Sequence, residues 1–200
     1  MKSDNPYYAL ALCLFFVSLL IIIELFVRHR NLSTDVSRRL SHIASGMLAV
    51  VIYQLFTPFI FLICNIILLV IIIISYHKKI LHSVHNVTRK TYGEVLLPLG
   101  TLLAFIVAHD RPEVFISSIL IMTFADASAG IVGDLRAKQR ASHLGSIVFF
   151  VVSIFILTFF IKDTFSLFSI AFILSVVEKI SPLGSDNFTI PLTAVILLSL

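Results

Sequence analysis

The chain has 200 residues, of which 58% are hydrophobic and only 13% charged, with a formal net charge of +4. Ordinary soluble domains run at roughly 45–50% and 25%, so this balance excludes a water-soluble globule. The apolar blocks are rich in Leu, Ile and Phe and show no alternating polar face, which favours membrane helices over a barrel. The expected fold class is therefore all-α, a polytopic transmembrane helix bundle of about seven or eight spans. It is read as a single integral membrane domain over 1–200, in which 1–37 holds the first span and a basic loop and 38–200 holds the chemistry.

In chain order, the apolar run at 7–27 follows Lys2 and is followed by Arg28-His29-Arg30. Its length and lack of a small-residue cleavage site read as a retained first helix, not a signal peptide. Residues 40–76 contain no Asp, Glu, Lys or Arg. That is too long for one span, and Thr57-Pro58 supplies a break, giving spans at 40–56 and 58–76. Further spans are expected at 95–109, 113–133, 145–162, 165–178 and 189–200, the last two short. Cys13 and Cys64 fall inside apolar spans and read as packing residues, with neither a disulfide nor a zinc site implied.

The connections 28–39, 77–94, 134–144 and 178–188 carry 12 of the 15 Lys and Arg residues, leaving Lys2, Arg111 and Lys162 on the other side. The positive-inside rule places those four connections in the cytoplasm and, with eight spans, both termini outside. Basic loops of this kind are topology signals and lipid-headgroup contacts in most multi-pass proteins, and no nucleic-acid partner is expected. The acidic and small residues on the same side need another explanation.

Phe124-Ala125-Asp126-Ala127-Ser128-Ala129-Gly130-Ile131-Val132-Gly133-Asp134 is the least lipid-like part of any span. A carboxylate within a membrane helix costs about 2.5–3.5 kcal/mol on insertion scales, so Asp126 should face the bundle interior. Asp126, Gly130 and Gly133 fall at i, i+4 and i+7, on one helix face. A small-residue packing seam with an internally paired Asp126 gives the same pattern. Next come Arg136, Lys138, Arg140, Ser142 and His143, ending in Gly145-Ser146 at the start of a helix. Cations beside helix N-terminal amides suit phosphate.

Three further clusters lie on the same expected face: Arg38-Arg39 with His42, Lys90-Thr91-Tyr92-Gly93-Glu94 before Pro98, and Glu178 with Asp186-Asn187. Carboxylates and cations gathered on one side suit a metal-bound nucleoside triphosphate, since Mg²⁺ takes oxygen ligands and phosphates supply part of its shell. His77, His82 and His85 read as solvated loop histidines, Glu24 as a boundary contact, and Asp110-Arg111-Pro112-Glu113 as a turn on the opposite face.

Taken together, these clusters resemble the polyprenol kinase family, which comprises dolichol, phytol and farnesol kinases and the CTP-dependent diacylglycerol kinase. Phosphatidate cytidylyltransferases are more distantly similar. The family's early Arg-Lys-x-x-His-x-x-x-Gly pattern resembles Arg38-Arg39-Leu40-Ser41-His42-Ile43-Ala44-Ser45-Gly46. Its Gly-Glu followed by Pro resembles Gly93-Glu94 and Pro98, and its Asp-x-x-Ala-x-x-x-Gly resembles Asp126, Ala129 and Gly133. Its late Glu…Asp-Asn…Pro resembles Glu178, Asp186-Asn187 and Pro191. The likeness covers about residues 38–200. One stretch departs from it: the family's Lys-Ser/Thr-x-Glu-Gly-Ser reads here Ala141-Ser142-His143-Leu144-Gly145-Ser146.

The resemblance implies transfer of the γ-phosphate of CTP to the hydroxyl of a polyprenol, another isoprenoid alcohol or diacylglycerol at the cytoplasmic face. It implies a membrane lipid and a nucleoside triphosphate as partners and Mg²⁺ or another divalent cation as cofactor. Asp126, His42 and Glu94 are then the expected catalytic residues, and Asp126, Glu178 and Asp186 the expected metal ligands. Arg39, Gly130, Gly133, Lys138, Arg140, Ser142, Gly145, Ser146 and Asn187 are expected to hold the nucleotide. A cytidylyltransferase would use the same face but attack the α-phosphorus. A transporter or scaffold would instead place ionisable residues near mid-membrane in several spans, whereas here most charges sit at span ends.

Overall fold

The computed structural model describes residues 2–30, 34–78, 92–137 and 143–200, which form helices and no strand. In chain order these are α1 (Pro6–His29), α2 (Thr34–Leu55), α3 (Pro58–Lys78), α4 (Gly93–Ala108), α5 (Pro112–Leu120), a π-helical turn (Ile121–Ala125), α6 (Asp126–Ala137), α7 (His143–Leu157), α8 (Thr164–Ile180) and α9 (Asp186–Ser199).

Local chemistry sets most of the boundaries. Pro6, Pro58 and Pro112 each open a helix, where a missing N–H costs nothing because that donor has no intrahelical partner. The break expected at Thr57-Pro58 separates α2 from α3. It is tied to the chain start, with Ser3 N donating to Leu55 O at 2.8 Å and Thr57 N to Ser3 O at 3.2 Å. Asp163 caps α8 by accepting from the Ser166 amide at 2.7 Å. Hydrogen bonds from Ser166 hold its carboxyl below the usual carboxylate range.

Two segments depart from the sequence expectation. The span expected at 145–162 ends as a helix at Leu157. Amides of Phe159 and Phe160 turn back to the carbonyls three residues earlier, at 3.2 and 2.9 Å, so the apolar run outlasts the helix. The span expected at 113–133 is continuous but contains the π turn immediately before Asp126. A π turn inserts one residue and so rotates everything beyond it by about 100° relative to an unbroken α-helix.

The interior carries small and hydroxyl-bearing residues among its large apolar ones. Ala104, Ala125, Ala171, Ala194, Ser117, Ser118, Thr101, Thr123 and Ser153 are all buried, whereas Phe59, Phe155, Phe159, Phe165 and Phe172 are exposed. Small residues inside let backbones approach closely, and large apolar residues outside are the reverse of a water-facing surface. Two stretches, Pro6–Val27 and Pro112–Gly133, are each 22 residues long and apolar enough to cross a bilayer. Pro58–Ile74, Gly93–Ala108, His143–Leu157 and Asp186–Ser199 are apolar but shorter, each 10–17 residues.

The two ends of the bundle differ. At one end Tyr53, Phe61, Phe105 and Phe115 stack, with ring centroids 4.4 Å apart for Tyr53 and Phe115 and 4.5 Å for Phe61 and Phe105. The Tyr53 hydroxyl donates to His109 O at 3.1 Å and Lys2 Nζ lies 4.1 Å from the Tyr53 ring centroid. The turn at His109-Asp110 lies at this end, opposite the acidic clusters, as expected from the sequence. The other end is polar.

Candidate active site

The polar end is organised by a close antiparallel seam between α2 and the segment running from the π turn into α6. A Cβ on Gly130 would overlap the Arg39 guanidinium, and one on Gly46 would overlap Thr123 Oγ1. Between these contacts His42 Nε2 lies 3.8 Å from Asp126 Oδ2 and 3.0 Å from Met122 O. Position numbers rise along α2 as they fall along α6, so Arg39, His42 and Gly46 form one face of α2 against Gly130, Asp126 and Thr123. The face expected for Asp126 and Gly130 is thus present, with Gly133 buried further along the same helix. A carbonyl only accepts, so the bond to Met122 O requires a proton on His42 Nε2. That leaves Nδ1 as the acceptor nitrogen of the neutral ring.

Arg38 and Arg39 both lie within electrostatic reach of Asp126, and Arg38 also reaches Glu94 and Asp186. Glu94 belongs to the first turn of α4, which α9 holds in place. Asn187 Nδ2 donates to Gly93 O at 2.8 Å and Tyr92 N to Leu183 O at 2.9 Å. Leu183 adopts φ 56° and Gly184 φ 82°. A left-handed leucine costs about 1–2 kcal/mol. Here it turns the chain between α8 and α9 so that its carbonyl reaches Tyr92. Gly100 lets the two helices touch, since a Cβ there would overlap Asn187 O and lie 2.9 Å from Phe188 Cα.

The remaining acidic residue comes from α8. Ser146, at the start of α7, donates from Oγ to Glu178 Oε2 at 3.2 Å, and Ser175 Oγ donates to Ser146 O at 3.0 Å. Lys179 Nζ lies 3.3 Å from His143 Nδ1, which fastens the same two helix ends. Gly145 is buried beside Ser146. Asp126 and Asp186 both lie within electrostatic reach of Glu178.

Asp126, His42, Glu94, Arg39, Gly130, Gly145, Ser146, Glu178, Asp186 and Asn187 therefore gather at one end of the bundle. Lys138, Arg140 and Ser142, and His82 and His85, lie outside the described residues. Among the described residues, no group of three or more His, Cys, Asp or Glu side chains closes around a single point where a metal could sit. Asp126, Glu178 and Asp186 share the site without forming such a cage. Their chemistry still suits Mg²⁺, which is ordinarily held by one or two carboxylates together with substrate phosphates and waters. Asn187 Oδ1 is a further buried oxygen without a hydrogen-bond partner.

Sequence reasoning missed the Met122 carbonyl, the Ser175 and Lys179 contacts and the close approach at Gly100. Gly100, two residues after Pro98, was the one available signal.

Gly130→Ala isolates the Arg39 contact. The guanidinium is the mobile tip of a long side chain, so a methyl group should push it aside at little cost in stability. The displaced charge should lower kcat/KM about tenfold or more, in line with roughly 1.5–3 kcal/mol for a hydrogen bond to a charged group. Steady-state kinetics alongside thermal unfolding in detergent would check this.

No protein-family model matches the chain, and no solved structure matches it. Among curated proteins it is 24% identical to a phytol kinase from Synechocystis sp. over an alignment of 216 positions. That alignment covers 96% of this chain and 93% of the relative. The similarity supports kinship with kinases that act on an isoprenoid alcohol.

Proposed function

We propose that this chain is a multi-pass membrane kinase that transfers the γ-phosphoryl group of a nucleoside triphosphate, CTP by family likeness, to the hydroxyl of an isoprenoid alcohol. The observation that carries this reading is the meeting of four separate sequence clusters at one bundle end, in a chain similar over nearly its whole length to a phytol kinase. The exposed phenylalanines belong in lipid, and the basic connections belong in the cytoplasm, so the polar end opens at the cytoplasmic interface.

Phosphoryl transfer asks mainly for positioning and charge neutralisation. Arg38 and Arg39 face the phosphates, and Gly130 leaves room for the Arg39 guanidinium. Asp126 meets the acceptor hydroxyl, where its carboxylate can take the proton, and His42, with Nε2–H beside it, orients the pair. Glu94, braced by Asn187 through Gly93, closes one wall, and Glu178, braced by Ser146, closes the other. When bound, Mg²⁺ would neutralise the phosphate charge and be held by Asp126 with Asp186 or Glu178.

Purified protein given an isoprenoid alcohol and a divalent cation, with CTP labelled at the γ- or the α-position, tests the reading. The expected result is lipid-borne label from the γ-position alone, with less from γ-labelled ATP. Lipid label from the α-position would instead identify nucleotidyl transfer.

A further inference from the structure

An apolar cleft of about 610 Å³, its open mouth included, lies between α1, α2, α3 and α4. Cys13, Ser45, Ala49, Asn65, Leu97 and Thr101 are among the residues around it. None of the site chemistry described above uses it. On α3 its wall runs from Phe61 to Ile71, about 15 Å at 1.5 Å per residue.

Two observations set it apart from a packing fault. The first is continuity with the polar end. Ser45 and Leu97 line the cleft, and each lies three residues, nearly one helical turn, past a site residue, His42 on α2 and Glu94 on α4. The second is Asn65, which is 7% exposed, lines the cleft, and has a side-chain oxygen with no hydrogen-bond partner. The other hydroxyls there are satisfied within their own helices, Ser45 on Ser41 O at 2.7 Å and Thr101 on Leu97 O at 2.9 Å.

We infer that this cleft seats the hydrocarbon chain of the acceptor alcohol, with its hydroxyl end at His42 and Asp126 and its chain running toward Asn65. The inference rests on the kinase reading above and adds where the substrate chain lies. Asn65 weakens the fit of a pure hydrocarbon chain, because its amide offers the chain less apolar contact than a leucine of similar size would. Chain binding that is the same in the ground and transition states acts on KM and not on kcat.

The test is labelling with a long-chain isoprenoid alcohol that carries a photoreactive diazirine at the end of the chain. Cross-links are expected in peptides from the cleft-facing parts of α1–α4. Ala49→Phe should reduce them about tenfold and raise KM for the long alcohol about tenfold more than for a short one. Asn65→Leu, close in size and gentle on packing, should lower KM for the long alcohol about threefold. Cross-links confined to the outer faces of α7 and α8, or a weaker KM in Asn65→Leu, would overturn the inference. Cleft labelling without any lipid phosphate formed would sink the kinase reading and leave the cleft assignment standing. Lipid phosphate formed with labelling elsewhere would do the reverse.

Discussion

Asp126→Asn is expected to reduce phosphoryl transfer by roughly 10²–10⁴-fold, the usual share of a positioned acid–base group, while the protein still inserts and folds. Asparagine keeps the size and hydrogen-bonding reach of the side chain but removes the charge that would hold a cation or accept the hydroxyl proton. The stability change should be small because two effects oppose each other. Removing a carboxylate from the bundle interior relieves its desolvation cost. It also removes an attraction to Arg38 and Arg39, which lie within electrostatic reach, and a contact with His42 at 3.8 Å. Thermal unfolding in detergent measured beside turnover separates the outcomes. Lost turnover at unchanged stability supports a reacting Asp126. Retained turnover, or inactivity explained by unfolding, would make this segment a packing seam.

Gly100→Ala should destabilise the fold. In an exposed helix the same change stabilises by about 1 kcal/mol. Here the sign reverses, because the added Cβ would meet backbone atoms of Asn187 and Phe188. Backbone cannot swing aside as the Arg39 guanidinium can, so α4 and α9 must part. Overpacking of this kind costs typically 1–3 kcal/mol, sometimes more. The parting also loosens the 2.8 Å bond from Asn187 to Gly93 O and the 2.9 Å bond from Tyr92 to Leu183 O. Glu94 and Asp186 would shift with them. Unfolding temperature and turnover should therefore fall together, in contrast to Gly130→Ala, where turnover alone should fall.

These two glycines mark what the sequence made legible and what it did not. The spacing of Asp126, Gly130 and Gly133 was enough to place them on one face, and the Arg39-x-x-His42 spacing gave the opposing face of α2. Thr57-Pro58 marked the hairpin because proline acts locally. The helical order of the chain was legible for the same reason, since long apolar runs and their interruptions are local signals. The meeting of Gly100 with α9 was not legible, because it depends on which helices become neighbours. The π turn was hidden for a related reason: Ile121–Ala125 carries no breaker. Its geometry is supported from α2, where Gly46 packs on Thr123 and His42 bonds to Met122 O.

The charged residues divide in the same way. Their sidedness could be read from the loops in which they occur, and Arg38, Arg39, Glu94, Asp126, Glu178 and Asp186 do meet at one end. Their mutual distances could not, and the three carboxylates expected to ligate a metal share a site without closing into a cage. The end of α7 was misjudged because Phe159 to Ile161 continue the apolar pattern after the helix has turned. Hydropathy reports where a segment can lie, whereas hydrogen bonding decides where the helix stops.

The most direct measurement is the stoichiometry of products in reconstituted vesicles, with CTP, a divalent cation and an isoprenoid alcohol supplied together. The account predicts one CDP released for each isoprenyl monophosphate formed, no CDP without the alcohol, and at least about a hundredfold less of both products from Asp126→Asn. Release of pyrophosphate with a cytidylyl lipid, or CTP hydrolysis that proceeds equally well without the alcohol, would contradict it.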